Sequence, residues 1–502
     1  MTERLLHDLA LMVPETVVTV TIIAALVADI IFRRSRAIVP AIVLVGLTVA
    51  GIIVLGQPHE SFAIFSGMLA VDPFAGFFKV LILLSAILIV VFSLGFNELN
   101  ANGRKVGEYY TLIATLTLGM MLMAGANNML MMYLAIELSS ISSYALSGYT
   151  REAEDASEAS LKYVIYGAMS SGLMLYGISM IYGLTGHFTF SEISSALPPV
   201  LEQGTTASLA LMFAGLLIVA GLGYKISAVP FHFWAPDVYE GAPITVTALL
   251  SVASKAGGFA LMIRFLSVSF LDSSVTTLGA GSWAVLPGFD WRSVVVALSV
   301  LTMTVGNLVA IWQNNLKRLL AYSSIAHAGY MMMGLVVLTN EGISAIMLYF
   351  VIYMFMNFGA FYVVMLIANK IGSEDIEDYR GLGSRAPFLM VALAIFLVSL
   401  TGLPPTAGFI GKLYLFVALL NSGWIWLAVV GALNSVIALY YYIRVLRNVF
   451  LRTTEHAAPP LQIGRLEGAI VILLLVPTIL LGLYFSPLAA LAQASTRMLG
   501  MP

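Results

Sequence analysis

The sequence contains no cysteine. Disulfide bonds, thiolate zinc sites and cysteine-ligated iron–sulfur clusters are therefore excluded from this chain. The six histidines are scattered, and no two of them have the helical spacing of a metal-binding pair. The sequence also has no Walker loop and no nucleophile elbow, and the glycines of GLGSRA at 381–386 predict a tight turn in a short charged loop. If the protein takes part in redox chemistry, its partners hold the cofactors.

Charged residues are also scarce, at 10% of the 502 residues, whereas 60% are hydrophobic. Soluble domains carry about 25% charged residues, and the mean hydropathy here is +0.96. Apolar runs of roughly 20 residues, each long enough to span a bilayer, recur along the chain. We therefore predict an all-α integral membrane protein surrounded by lipid. No basic patch in the sequence suggests a nucleic-acid partner.

Fourteen membrane spans are predicted from these apolar runs. The start of the third is marked by Asp72, a typical helix cap, and by Pro73, which suits the first helical position. The predicted spans cover residues 14–32, 37–56, 74–96, 108–126, 128–149, 160–184, 207–235, 243–270, 293–313, 318–338, 343–370, 386–420, 425–450 and 467–490.

The basic residues indicate how the spans are oriented. The loops that follow odd-numbered spans hold 15 of the 24 Lys and Arg residues, and the opposite side holds three. The positive-inside rule then places both termini on the outer side of the membrane. The remaining six basic residues fall within spans, and they are Lys79, Lys162, Lys225, Lys255, Arg264 and Lys412.

Two of the spans are unusually long and interrupted, by GYKISAVPFHFW in the seventh and by SLTGLPPTAGFIGKLYLF in the twelfth. Lys225 and Lys412 lie 187 positions apart within them, close to the 185 positions between the starts of spans four and nine. Such an offset predicts two five-helix units of inverted topology, with the transport site at the paired breaks. The expected divisions are 1–107 with three N-terminal spans, 108–270 and 293–450 with the two units, and 451–502 with a loop and the last span.

Four ionisable side chains are predicted near the middle of the membrane. Glu137 lies nine residues into span five, Lys225 and Lys255 lie deep in spans seven and eight, and Lys412 lies deep in span twelve. The alternative is a structural role for these side chains. Glu137 would then bond to nearby serines, and the lysines would snorkel to an interface. Lys255 is too far from either end of its span to snorkel comfortably. Ionisable residues inside a membrane favour a functional interpretation.

Three further residues complete the candidate path. Lys162 lies near the inner end of span six, where snorkelling is an equally good interpretation. His327 lies in span ten, the repeat counterpart of span five, at an offset of 190 from Glu137. A core histidine with satisfied hydrogen bonds is the alternative to a proton relay there. His232 follows Lys225 toward the inner side. For Lys79 and Arg264, which lie near span ends, we expect a structural role.

A row of buried amines with one acid can move protons. Burial disfavours the charged form of a lysine, and a nearby carboxylate restores it. Two unit charges at 4 Å interact by about 4 kcal/mol at an effective dielectric of 20, which corresponds to roughly three pKa units. Movement of Glu137 relative to its lysine would therefore capture or release a proton. The helix break at Pro230 would give Lys225 access to water.

Five segments resemble those of a known family, and they are YLAIELSSISSYAL, EASLKYVIYGAMSSG, YKISAVPFHFWAPDVYEGAP, QNNLKRLLAYSSIAHAGY and LTGLPPTAGFIGKLYLF. Together they resemble the antiporter-like membrane subunits of respiratory complex I, a family that includes Mrp-type sodium/proton antiporter subunits. Two lysines resemble those of the smallest of the three complex I members. Lys412 stands where subunit M typically has glutamate, and Lys162 is a trait of the smallest member. The sequence also has no long lateral helix after span fourteen, unlike subunit L.

The resemblance implies roles for the candidate residues. Glu137 matches the modulating glutamate, Lys225 the pumping lysine, and Lys162 its additional partner. Lys255 matches the connecting lysine, and Lys412 the lysine toward the outer half-channel. The polar path would also include His232 and His327.

The resemblance also implies an assembly in the bacterial inner membrane. Subunit M would lie on one side of this chain, and subunit K and the small quinone-proximal subunits on the other. FMN and iron–sulfur clusters would belong to other subunits, and no cofactor to this one. The function implied is proton translocation coupled to electron transfer from NADH to quinone.

Three alternatives remain open on the sequence alone. An Mrp-type sodium/proton antiporter subunit would share the lysines. A carrier for a small solute would need a polar and aromatic cavity at mid-membrane. A membrane scaffold would use the charges only to hold helices together.

Overall fold

A computed structural model of the chain describes residues 2–32, 35–100, 106–150, 154–272, 281–286, 290–452 and 459–501. The first half contains α1 (Thr2–Leu11), α2 (Val13–Ile31), α3 (Ile38–Leu55), β1 (Phe62–Ile64), β2 (Leu69–Val71), α4 (Pro73–Leu94), α5 (Asn97–Asn100), α6 (Gly107–Gly125), α7 (Met129–Ser147), α8 (Glu154–Thr185), α9 (Phe190–Leu201), α10 (Thr205–Ile226), α11 (Trp234–Gly241), α12 (Ile244–Leu249), a π-helical turn (Leu250–Ser254) and α13 (Lys255–Ser269). The rest contains β3 (Leu271–Asp272), β4 (Ala284–Val285), α14 (Trp291–Ala310), α15 (Leu316–Val336), α16 (Asn340–Ile371), a 3₁₀ turn (Ile376–Tyr379), α17 (Leu382–Arg385), α18 (Pro387–Thr401), α19 (Ala407–Asn421), α20 (Ile425–Leu451), α21 (Arg465–Leu483) and α22 (Ser486–Ala494).

Twelve of the described helices are long and apolar enough to cross a membrane, judged by length and composition. The strands form only two short antiparallel hairpins, β1 with β2 and β3 with β4. The most enclosed of these helical segments are residues 244–269, α15 and α16, whereas α2, α3, α8 and α21 expose most of their surface. The candidate residues Lys255 and His327 therefore lie on the innermost helices of the bundle.

Both predicted interruptions are present. The seventh predicted span consists of α10, a non-helical segment at 227–233 and α11, and the twelfth consists of α18, a segment at 402–406 and α19. The residue after each first half-helix, Ser227 in one case and Gly402 in the other, has a left-handed backbone. Helix geometry ends there because a left-handed residue cannot continue the hydrogen-bond ladder.

The predicted start of α4 is confirmed. Asp72 is the N-cap and accepts a hydrogen bond from the Ala75 amide at 2.8 Å, with Pro73 at the first helical position. The same carboxylate also accepts two hydrogen bonds from the fully buried Arg264 guanidinium, at 2.7 and 2.8 Å, and one from the Leu499 amide. Burial alone would raise the pKa of Asp72, but Arg264 and the two amides lower the pKa below its usual value.

The other peripheral basic residue, Lys79, forms a buried ion pair with Glu15 of α2 at 2.7 Å. Both Arg264 and Lys79 therefore hold elements together, Arg264 joining α13 to the start of α4 and Lys79 joining α4 to α2. The structural role expected for them agrees with these contacts, although the sequence did not reveal either partner. Of the inner-loop basic residues counted above, some lie outside the described residues, namely Arg33, Arg34, Arg104, Lys105 and Arg151.

Breaking the Asp72–Arg264 pair is expected to destabilise the protein. Arg264→Met leaves a buried carboxylate without its counter-charge, which costs about 3–5 kcal/mol in comparable pairs. A matched control is Arg380→Met, because the Arg380–Glu377 pair is exposed at the surface and such pairs are worth about 0–1 kcal/mol. Reversible unfolding in detergent measures both values, and equal losses in the two variants would contradict the role given to Arg264.

Candidate functional site

Lys225 lies on the last turn of α10, directly before the first helix break. Its side chain is buried, and its ammonium donates a hydrogen bond to Ser140 Oγ of α7 at 3.4 Å. The stem of Lys225 packs on Gly258 of α13, where a β-carbon would approach Lys225 Cγ to 3.3 Å. The absence of a side chain at Gly258 therefore allows α10 and α13, which carry Lys225 and Lys255, to pack closely.

Glu137 lies one turn before Ser140 on the same helix, α7. Its carboxylate forms no ion pair with Lys225, although its charge acts on Lys225 at longer range. Glu137 Oε1 is buried and has no hydrogen-bond partner among the described residues. The acid and the amine are thus close enough to interact but are not in contact, and Ser140 takes the contact position.

Lys255 begins α13, immediately after the π-helical turn of residues 250–254. A π turn shifts the register of the side chains that follow it, and such turns are frequent at functional sites. The buried ammonium of Lys255 donates to Ser324 of α15 twice, to the carbonyl oxygen at 2.8 Å and to the hydroxyl at 2.5 Å. The shifted register thus directs Lys255 across to the helix of His327.

His327 lies three residues after Ser324 on α15, on the same face of that helix. Its ring is buried, and Nδ1 is 2.7 Å from the Tyr349 hydroxyl of α16. The Tyr353 ring centre is 4.9 Å from the imidazole centre. Lys255 bonds to Ser324, one turn before His327, and Tyr349 also packs against Gly411, the residue before Lys412. His327 therefore lies between the two amines.

Lys412 lies five residues into α19, next to the second helix break. Its ammonium donates to the Thr401 carbonyl at 2.8 Å and to Ser435 Oγ of α20 at 3.1 Å. The break passes very close to this side chain, since a β-carbon at Gly402 would lie 2.8 Å from Lys412 Cδ. Glycine meets two requirements at that position, the close approach and a φ of 88°.

These contacts define a buried row that runs from one helix break to the other, in the order Lys225, Lys255, His327 and Lys412. Several polar atoms around this row have no hydrogen-bond partner among the described residues, and they include Ser227 Oγ, His232 Nδ1, Tyr239 OH, Ser254 Oγ, Tyr353 OH and Asn357 Oδ1. Leaving such an atom unsatisfied costs about 1–3 kcal/mol, and buried water commonly supplies the missing partner. The lining of the row is thus suited to hold water.

Lys162 lies in a partly exposed cluster of charged side chains. Its ammonium contacts two carboxylates at 2.6 Å, Asp237 of α11 and Glu158 one turn earlier on α8, and the side chain is 38% exposed. Asp237 also accepts from Arg318, which bridges to Glu240. Burial alone would raise the pKa of the Asp237 carboxyl, but Lys162 and Arg318 lower it below the usual value.

His232 connects this charged cluster with the interior. It lies in the first helix break, its side chain is buried, and it lines a cavity of about 480 Å³ together with Asp237, Arg318 and Tyr322. The structure therefore places the seven candidates in three different positions. Five lie on or beside the buried row, and Lys162 belongs with the charged cluster, while His232 lies between the row and the cluster.

Lys162→Ala is expected to reduce coupled proton transfer less than Lys225→Ala does. Removing Lys162 leaves Asp237 with Arg318, so no buried charge loses all of its partners. Because the pair is partly exposed, it is worth about 1 kcal/mol or less. Coupled proton transfer measured in vesicles compares the two variants, and a loss in Lys162→Ala as large as in Lys225→Ala would show that Lys162 belongs to the buried path.

Sequence reasoning missed several residues that complete the row. Ser324, Tyr349 and Asn357 make contacts that depend on which helices pack together, and their residue types alone did not single them out. Ser324 could have been found from its i,i+3 spacing to His327. No group of three metal-binding side chains occurs in the part of the chain that the structure describes.

Comparison with known proteins agrees with this architecture. The family described as NADH:quinone oxidoreductase/Mrp antiporter, TM, matches residues 126–438, more than half of the chain. NADH-quinone oxidoreductase subunit N 2 of Chloroherpeton thalassium is 49% identical over 473 residues, which is 93% of this chain and 90% of that protein. Subunit N of Chlorobium chlorochromatii is 44% identical over 501 residues, covering 97% and 95%.

Two solved structures show the same fold. A chain of respiratory complex I from Thermus thermophilus is 31% identical, with a TM-score of 0.78 over 96% of this chain and 99% of that one. A chain of the Mrp complex from Dietzia is 20% identical, with a TM-score of 0.81 over 97% of both chains, and this likeness concerns the fold alone.

The chain belongs to the family of NADH:quinone oxidoreductase and Mrp antiporter membrane subunits. Within that family, the two relatives described above are both named subunit N. Its apolar helices and its relatives also make it a multi-pass membrane protein of bacteria.

Proposed function

We propose that this chain is the subunit N-type proton-translocating module of a membrane-bound NADH:quinone oxidoreductase. The observation that carries the proposal is the buried row of Lys225, Lys255, His327 and Lys412, which extends between two broken helices. Ionisable groups in a membrane are costly and mark ion pathways. The high identity over nearly the full length of relatives named subunit N supports the same function.

Proton transfer in this module proceeds along the row. Approach of Glu137 toward Lys225 favours the ammonium form, and its withdrawal favours release of the proton to the next site. Lys255 receives the proton by way of water held by polar atoms such as Ser254 Oγ. Ser324 orients Lys255, and Tyr349 orients His327, which passes the proton to Lys412. His232 and Lys162 take part in proton transfer at the inner end of the path.

The topology of the module follows the inverted-repeat arrangement. Fourteen crossings result when α6 and the α18–α19 pair are added to the twelve long apolar helices. We assign residues 1–107 to three N-terminal spans and residues 451–502 to the last loop and span, with five-helix units at 108–270 and 293–450 between them. A left-handed residue ends the first half-helix of each interrupted pair, α10 and α18, and this shared break supports the repeat. Both termini lie on the periplasmic side of the inner membrane.

Partner subunits provide the redox chemistry. With no cysteine, the chain has no thiolate ligands for an iron–sulfur cluster. In the proposed assembly the clusters and FMN belong to other subunits, and this subunit is non-redox. Subunit M lies on one side of it, and subunit K and the small quinone-proximal subunits on the other. Lipid covers the remaining apolar surface.

Purification of the intact assembly tests this proposal. We expect the chain to co-purify with a flavin-containing NADH dehydrogenase, and the reconstituted assembly to acidify vesicles during NADH oxidation without sodium. Recovery of this chain in a flavin-free complex that exchanges sodium for protons would instead establish the Mrp-type function. A variant with Lys225→Ala distinguishes either activity from a passive leak.

A further inference from the structure

Lys412 differs from Lys225 in its electrostatic surroundings. The charge of Glu137 acts on Lys225, whereas none of the ion pairs between described residues involves Lys412. The ammonium of Lys412 lies instead over the face of Tyr330, 4.4 Å from the ring centre. A cation within about 6 Å of an aromatic ring centre is attracted by the negative face of the ring.

The Tyr330 ring is held in place by a buried polar network. Its hydroxyl accepts a hydrogen bond from Asn307 Nδ2 of α14 at 3.0 Å. Asn307 Oδ1 in turn accepts from the Tyr441 hydroxyl of α20 at 3.1 Å, and Asn307 Nδ2 also contacts Asn434 Oδ1 at 3.3 Å. Three helices thus fix the orientation of the ring, so that its face meets the ammonium while its hydroxyl is engaged by Asn307.

We propose that Tyr330 is a positioning residue that stabilises the protonated form of Lys412 through the face of its ring. This inference rests on the proposed function, in which Lys412 holds a proton at one end of the row. Tyr330 would do for Lys412 what Glu137 does for Lys225, with one physical difference. A ring attracts an ammonium without becoming its counter-ion, so the attraction is weaker and the proton can still leave.

The other groups around Lys412 act on it through hydrogen bonds or packing rather than through the face of a ring. Thr401 on α18 and Ser435 on α20 accept hydrogen bonds from the ammonium but carry no charge. Tyr349 on α16 packs against Gly411, the residue before Lys412, and directs its hydroxyl to His327. His327 on α15 is a further ionisable neighbour, and in its charged form it would repel the lysine.

Fluorination of the ring separates the electrostatic effect from packing. Position 330 is substituted with phenylalanine and with mono-, di- and trifluorophenylalanine in the full assembly, because fluorine weakens the negative face of the ring with little change in size. Tyr330→Phe should pump nearly as well as the wild type, with a progressive loss along the fluorinated series. Tyr330→Leu should lower proton occupancy of Lys412 by about 2- to 30-fold, which spans the usual range of cation–π interactions.

Two measurements make the result decisive. Lowering the pH by one unit should restore pumping along the fluorinated series, because a higher proton concentration compensates for weaker binding. Tyr441→Phe is the matched control, since it removes a hydroxyl from the same network without altering the ring under Lys412, and it should behave like Tyr330→Phe. Electron transfer from NADH to ferricyanide should remain unchanged throughout.

Equal pumping across the fluorinated series would overturn the proposal, as would a loss in Tyr330→Phe as large as in Tyr330→Leu, because the hydroxyl would then be the active group. Lys412→Ala distinguishes this failure from failure of the proposed function. If Lys412→Ala pumps normally, the role of Lys412 in the row is wrong and that of Tyr330 with it. If Lys412→Ala is inactive while the fluorinated series is flat, only the role of Tyr330 fails.

Discussion

Lys225→Ala is expected to abolish coupled proton transfer while leaving NADH–ferricyanide reduction intact. The substitution removes the amine at the start of the row. This amine lies next to the α10 break, and the charge of Glu137 acts on it. Positioned proton donors and acceptors contribute about 10²- to 10⁴-fold to proton-transfer rates, so a loss of about 100-fold is expected in this module. Acidification of proteoliposomes at a matched rate of NADH oxidation measures the effect.

Lys225→Arg is the control that separates proton transfer from helix packing. Arginine retains the positive charge and a long apolar stem, but it does not release its proton at physiological pH. We expect Lys225→Arg to assemble normally and still fail to pump. If arginine restores pumping, the charge serves only to hold helices together, and the proton-relay role of Lys225 is wrong.

Glu137→Gln is expected to have the second-largest effect. Glutamine preserves the shape of the side chain but removes the charge that stabilises the ammonium of Lys225. When acid and amine approach to about 4 Å, that charge is worth roughly 4 kcal/mol at an effective dielectric of 20, or about a thousandfold in proton occupancy. Pumping should therefore fail at neutral pH and recover partly as the pH is lowered.

Glu158→Gln provides the matched control for Glu137→Gln. Glu158 also pairs with a lysine, Lys162, but its side chain is 64% exposed, and solvent screens the interaction. Pumping measured between pH 6 and pH 8 should be close to wild type in Glu158→Gln. A pH-independent loss in Glu137→Gln, or an equal loss in the two variants, would contradict the electrostatic role of Glu137.

Much of the fold follows from local patterns in the sequence. Long apolar runs predict spans because a bilayer requires about 20 apolar residues, and twelve of the described helices are long and apolar enough to cross a membrane. Asp72 and Pro73 predicted the start of α4, and Pro230 and the segment SLTGLPPTAGFIGKLYLF predicted the two breaks. These features depend on backbone chemistry within a few residues, so no knowledge of packing was needed.

Contacts between helices could not be predicted in the same way. The π-helical turn before Lys255, its bond to Ser324 and the Tyr330 ring under Lys412 all depend on which faces of the helices meet. The Lys79–Glu15 pair is a similar case, because its members lie 64 positions apart in the sequence. The resemblance gave Lys162 as an additional partner of Lys225, and its contact with Asp237 depends on how α11 packs against α8.

The most direct test of the account is a high-resolution cryo-electron microscopy map of the intact assembly. We predict ordered water molecules that join Lys225 to Lys255, and Lys255 to His327, with Ser254 Oγ, Tyr353 OH and Asn357 Oδ1 among their hydrogen-bond partners. A dry, closely packed interior or lipid acyl chains between these side chains would contradict proton transfer along the row.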